Sequence, residues 1–252
     1  MLKKRIIPIL LLKNGRCAKG KKFKDYRDTG APVTAAKIYD AQRVDELIFL
    51  DIMASLEGRG TLLDIISDTA EQCFMPLTVG GGVRSGDDIE VILASGADKV
   101  AINTAAVENP DFIRQAAKQF GSANIVVSID YACNPEGKRE VYTHGGKKPT
   151  GLDPLDWVRQ AEALGAGEII LTSIDREGTM AGYDLQLIKS ASALLKIPLI
   201  VHGGAGTLEH LWEGLVEGAA SAVAAASIFH FTDQSPIKAR LYLKDRGVNV
   251  RI

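Results

Sequence analysis

The chain repeats itself, and that repeat limits its possible folds more than any other feature. At an offset of about 120 residues, four stretches return in the same order. VGGGVRS at Val79–Ser85 returns as VHGGAGT at Val201–Thr207, and IFLDIMASLEG at Ile48–Gly58 returns as IILTSIDREGT at Ile169–Thr179. KVAINTAAV at Lys99–Val107 returns as AVAAASIFH at Ala222–His230, and RIIPILL at Arg5–Leu11 as NIVVSID at Asn124–Asp130. Each copy alternates strand-like and helix-like stretches. Such a repeat favours one closed barrel of two halves over two separate domains. We therefore expect a single domain over residues 1–252, with half-barrels of roughly 1–120 and 121–252.

Apolar runs recur at strand length, with helical periods between them. They predict strands near 5–12, 46–52, 76–80, 97–102, 124–130, 168–173, 198–202 and 220–226. Helices are predicted near 31–43, 59–72, 86–94, 109–119, 153–164, 183–195, 207–217 and 236–245. Eight strand–helix units fit an α/β fold of the (β/α)8 TIM-barrel type. An open doubly wound sheet would leave the half-repeat without a closing partner. An apolar fraction of 46% with few aromatic residues suits a parallel sheet covered by helices. Two long connections, Lys13–Gly30 and Tyr131–Gly151, occupy matching places after the first and fifth strands. The second contains REVYTHGGKK, which reads as a short hairpin. Loops this long after barrel strands are usually functional.

A net charge of −1 gives no general attraction to nucleic acid or to an anionic membrane, so any anion must be held by local geometry. Cys17, Cys73 and Cys133 lack metal-type spacing and read as free thiols in a reducing cytoplasm. The N-terminal MLKKRIIPILLLKNG is interrupted by Pro8 and reads as a first barrel strand rather than a leader. No apolar run is long enough to span a bilayer. Neither a bound metal nor a cofactor is expected.

The glycine clusters are the first chemical signal. Gly80–Gly82 and Gly203–Gly206 (with Ala205 between) each end a strand just before a helix, where backbone N–H groups and the helix start favour an anion. The following strand ends supply Asn103-Thr104 and Ala226-Ser227, and Gly178-Thr179 adds to the second cluster. Two such cradles across one barrel mouth predict a long ligand with a phosphate at each end. The plainer reading is two tight turns.

Carboxylates are the second signal. Asp51, Asp130 and Asp175 fall at the carboxyl ends of predicted strands, where barrel enzymes hold their chemistry. Asp130, at the end of an apolar IVVSI run, is the best candidate acid or base. Asp175 and Glu177, in IDREGT, either orient a ligand or cap a turn. The repeat places Leu11 opposite Asp130, so a two-fold site carries one carboxylate where symmetry offers two. At the amino ends of the strands, Arg5, Glu46, Lys99 and Glu168 should converge on the barrel floor, where buried charges must pair. They form either an ion-pair plug or a gate over an axial passage. His144, His210 and His230 read as a hairpin surface group, a helix surface group and a loop or packing group.

Taken together, VDELIFLDI, PLTVGGGVRS, GADKVAINTAAVENP, VYTHGGKKPTG, GEIILTSIDREGTMAGYD and AASIFHF resemble the cyclase subunit of imidazole glycerol phosphate synthase, from Arg5 nearly to the end of the chain. The resemblance implies a two-half (β/α)8 barrel that forms a heterodimer with a glutaminase. Ammonia is drawn through the barrel axis and added to a phosphoribulosyl ligand with two phosphates, giving imidazole glycerol phosphate and an aminoimidazole carboxamide ribotide. It implies phosphate sites at Gly82, Asn103 and Thr104 and at Gly178, Gly204, Ala226 and Ser227. It also implies a flexible first-loop lysine at Lys19, a gate of Arg5, Glu46, Lys99 and Glu168, and a glutaminase-facing Asp98.

The departures are equally specific. The family's strand-one catalytic aspartate is Leu11 here, within Ile9-Leu10-Leu11-Leu12, and the small serine before the strand-seven glycines is His202. This pattern resembles the family's surface-polysaccharide branch. There the barrel pairs with a glutaminase and serves a sugar amidotransferase that makes acetamidino groups. Two alternatives stand beside it: an authentic histidine-pathway cyclase with a substitute acid, and a non-catalytic scaffold that activates a glutaminase.

Overall fold

The computed structural model describes residues 3–251, so the outermost residues of the expected 1–252 domain lie outside the described part. The first half runs β1 (Arg5–Lys13), β2 (Arg16–Lys21), β3 (Lys24–Gly30), α1 (Pro32–Ala41), β4 (Leu47–Asp51), α2 (Ala54–Glu57), α3 (Leu63–Ala70), β5 (Leu77–Gly80), α4 (Gly86–Ala94), β6 (Lys99–Ile102), α5 (Thr104–Glu108) and α6 (Asp111–Phe120). The second half runs β7 (Ile125–Cys133), β8 (Arg139–Thr143), β9 (Lys148–Pro149), α7 (Pro154–Ala163), β10 (Glu168–Ser173), α8 (Leu185–Leu194), β11 (Leu199–His202), α9 (Leu208–Val216), β12 (Ala222–Ala225), α10 (Ser227–Phe231) and α11 (Pro236–Asp245).

Strands β1, β4, β5, β6, β7, β10, β11 and β12 pair in that order, each parallel to its neighbours, and β12 returns to β1. These eight strands close into a barrel. The chain is therefore a (β/α)8 TIM barrel. Helix starts follow their local sequence. Ser85 caps α4 in a reciprocal capping box with Asp88, and its repeat counterpart Thr207 caps α9 through the His210 N–H. Asp153 and Ser235 cap α7 and α11, each followed by proline at the first helical position.

Strand alternation sorts the apolar residues into two layers. Ile7, Ile9, Ile48, Ala101, Val126, Ile170, Ile200, Ala222 and Ala224 fill the barrel interior. Ile6, Leu10, Phe49, Val79, Val127, Ile169 and Val201 point outward and pack under the helices. This facing corrects the repeat by one residue in its second unit. Ile48 and Ile170 both point inward, whereas Ile169 points outward. The structural offset there is 122 rather than 121, because a one-residue shift reverses every side chain of a strand. The same offset pairs Glu46 with Glu168 and Gly81-Gly82 with Gly203-Gly204.

The Lys13–Gly30 connection also differs from the expected loop. After Lys13 the chain folds back as β2 and β3, an antiparallel extension of β1 (Leu11 pairs with Ala18, Lys13 with Arg16). Strands β8 and β9 extend β7 in the same manner. Each half thus raises a small antiparallel flap above the barrel mouth.

Candidate active site

At the carboxyl ends of the strands, a cavity of about 300 Å3 opens between the two flaps. This lies at the lower end of the usual range for small-ligand sites. Leu11, Leu50, Phe23, Tyr26 and Ile52 give it an apolar side; Asp130, Ser128, Thr172, Asn103 and Thr104 give it a polar one.

Asp130 sits on the polar side, at the mouth end of β7. Asn103 Nδ2 donates to its Oδ2 at 2.9 Å, and Thr172 hydrogen-bonds to it as well. Burial pushes its carboxyl up to about 7, with the Thr172 contact working in the opposite direction. A carboxyl poised there can give or take a proton near neutral pH. It also pushes the nearby Tyr26 phenol upward, second to that group's own burial. Leu11 is only 4% exposed and lines the same cavity. The two positions share one mouth, and one of them cannot carry a proton.

The remaining mouth carboxylates are engaged. Asp51 Oδ1 accepts from the Met53 and Ala54 N–H groups at the start of α2, and its Oδ2 receives Arg59 Nη1 at 2.7 Å. Asp175 accepts the Cys133 N–H at 2.8 Å and ties β7 to the β10 loop. Glu177 is 1% exposed and forms an ion pair with Lys19. Lys19, expected in a flexible loop, is instead a β2 residue 3% exposed. Burial pulls its ammonium down to about 7.

The two glycine clusters differ. In the first half, Gly81 has φ +106, and a Cβ there would strike the Asp51 carbonyl. Only glycine lets the turn come this close. The Gly82 N–H reaches the Ser55 hydroxyl at 3.4 Å, and Gly82, Asn103 and Thr104 all line the open cavity. In the second half, Gly178, Gly204, Ala226 and Ser227 also come together, but around a space of only about 10 Å3. Lys19, Glu177 and His202 fill the rest of it. His202 is 5% exposed, and burial first, then Lys19, pushes its pKa down to about 3. Its Nδ1 lies 3.5 Å from Thr172 Oγ1.

At the opposite end of the barrel the four charged residues form a closed ring. Arg5 reaches Glu46 at 2.8 Å and Glu168 at 3.0 Å, and Lys99 reaches each glutamate at 3.0 Å. Thr78 Oγ1 donates to the remaining Glu46 oxygen at 2.5 Å. Between this floor and the mouth the interior is apolar. Asp98 is exposed beside the floor, where it accepts the Leu77 N–H at 2.8 Å.

Several contributors escaped the sequence reading. Thr172 is recoverable as the inward counterpart of Leu50 once the offset is 122. Arg59 follows Gly58, and nothing in its neighbourhood marks it as the partner of Asp51. Phe23 and Tyr26 reach the cavity only because the first connection folds as a flap. Of the histidines, the His144 N–H donates to Thr104 Oγ1 at 3.1 Å, so the second flap is pinned beside the first cradle. His210 Nδ1 accepts the Gly206 N–H at 3.2 Å. His230 is partly buried, and its pKa is lowered by burial and by Lys19.

Fold and site together define a two-half (β/α)8 barrel with a glycine-cradled cavity at its mouth and a charged floor. Residues 5–235 match the histidine biosynthesis protein family, and the chain belongs to it. Among the described residues no helix is long and apolar enough to cross a membrane.

Proposed function

We propose that this chain is the synthase-type subunit of a glutamine amidotransferase complex. It takes ammonia from a partner glutaminase docked on the charged floor, beside Asp98, and serves the amidation of a surface-polysaccharide sugar. The observation that carries this reading is an asymmetry. The Arg5–Glu46–Lys99–Glu168 ring is complete, while the acid–base pair at the mouth is reduced to Asp130 opposite Leu11.

The chemistry follows from the interior. An ammonium ion is costly to desolvate, so an apolar bore lined by Ile7, Ile48, Ala101, Ala222 and Ala224 favours neutral ammonia. Passage requires the floor ring to part, and Lys99, which holds both glutamates, is the hinge of that opening. A phosphorylated ligand in the mouth cavity, its phosphate at Gly82, Asn103 and Thr104, places its reacting end near Asp130. With a carboxyl near neutrality, Asp130 can hold or release one proton there. Ring closure needs a second, opposed acid, which Leu11 does not supply; loss of a general acid lowers rates by about 10²–10⁴-fold.

The test is reconstitution of the purified chain with a glutaminase subunit from the same organism. The expected results are complex formation and faster glutamine hydrolysis. Asp98→Arg should abolish association, and Lys99→Met should leave association intact but uncouple ammonia delivery. No association with the glutaminase contradicts the proposal. The authentic cyclase is kept as a second reading because Asp130, the open first-half cradle and the floor ring are all present. Efficient ring closure by the wild-type chain with free ammonia would favour it.

A further inference from the structure

The two halves offer the same anion cradle, yet only one is open. Gly82, Asn103 and Thr104 border about 300 Å3 of cavity; Gly178, Gly204, Ala226 and Ser227 border about 10 Å3. Three side chains account for the difference. The structural offset of 122 places His202 opposite Gly80, so an imidazole fills a position where the first half has no side chain. It places Glu177 opposite Ser55, so the second cradle holds a carboxylate where the first holds a hydroxyl. Lys19 neutralises that carboxylate from above.

The plug is tied down by backbone as well. The Lys22 N–H donates to the Glu177 carbonyl at 2.9 Å. Gly178 lies so close to the Gly20 carbonyl that a Cβ on it would collide. The first flap is therefore latched onto the second cradle and carries Lys19 into it. A phosphate entering there would have to displace a buried ion pair and face the Glu177 charge. Burial of unpaired like charges is among the most unfavourable arrangements a protein interior can hold.

We infer that this chain takes a ligand with a single phosphate, held by the first-half cradle, and that His202 with the Lys19–Glu177 pair bars a second phosphate from the other half. The inference rests on the phosphate reading of the Gly82–Asn103–Thr104 cradle made above, and it narrows the substrate class to monophosphate esters. The free end of the ligand then lies against Leu11, Tyr26 and Leu50.

Calorimetric titration with ribose 5-phosphate and ribulose 1,5-bisphosphate tests this. In the wild type the two should bind within about threefold of each other, since the second phosphate finds no site. His202→Ser should tighten the bisphosphate by about tenfold or more relative to the monophosphate, whose cavity His202 also borders. Wild-type binding of the bisphosphate that is already about tenfold tighter overturns the inference while sparing the first cradle. Failure of both ligands to bind overturns the cradle reading itself. The wild-type comparison stands even if the His202 variant does not fold.

Discussion

Replacing Lys99 with methionine removes one of the two cations in the floor ring and keeps most of the side chain's length. In the wild type Lys99 bridges Glu46 and Glu168 at 3.0 Å each. Without it, two carboxylates that are 1% and 8% exposed share one cation, Arg5, with Thr78 still donating to Glu46. Removing one partner of a buried pair costs about 3–5 kcal/mol, chiefly through the charge left behind. The Lys99 side chain is 17% exposed, so water reaches the ring from below, and the lower value of about 3 kcal/mol applies. For a chain of this size that lowers Tm by about 6–12 °C. Thermal and urea unfolding near neutral pH measure it. The companion double variant Lys99→Met with Glu168→Gln leaves Arg5 and Glu46 as a balanced pair. It should be more stable than Lys99→Met alone, with a coupling of about 1.5 kcal/mol or more. Little dependence on salt is expected, because buried pairs are weakly screened. A single variant within about 0.5 kcal/mol of wild type, or an additive double variant, would refute the view that the four charges act as one buried unit.

Two further perturbations follow from the mouth and the thiols. Asp130 holds a proton in the native state that the unfolded chain has already released, so between about pH 4 and 7 its contribution to stability falls as pH rises. His202 acts in the opposite sense: the unfolded chain protonates first, and stability is lost as pH falls from about 6.5 toward 3. In urea-unfolding series, Asp130→Asn should gain on wild type with rising pH and His202→Asn with falling pH; a flat difference curve for either contradicts the assignment. Cys133 is exposed, whereas Cys17 and Cys73 are buried and their thiols are raised, Cys17 to about 12. The native protein should therefore titrate one fast thiol with an aromatic disulfide reagent and all three in denaturant, and a second fast thiol in the native state would show that the core opens.

The barrel was legible because the repeat and the apolar runs are local signals that agree with each other. Asp130 was legible because a carboxylate at the end of an apolar strand stands out. The first flap was not. Strand β3 is largely exposed on both faces, so its sequence lacks the alternation that marks a half-buried strand. Without the flap, Lys19 reads as a mobile loop cation, and its partner Glu177 lies in the other half of the chain. The one-residue slip in the second unit arose because Ile169 and Ile170 are both apolar. Composition cannot tell which of them faces inward; only the packing layers can. That slip also hid Thr172 as an inward residue, and with it a contact that shapes the pKa of Asp130.

The most direct test of the account is turnover by the purified chain supplied with ammonium salt and the phosphoribulosyl carboxamide substrate, wild type beside Leu11→Asp. The account predicts wild-type ring closure lower than that of an ordinary cyclase by about 10²-fold or more, with the variant gaining whatever a second carboxylate can restore. Wild-type turnover in the usual enzymatic range of about 1–10³ s⁻¹, unchanged by Leu11→Asp, would contradict it.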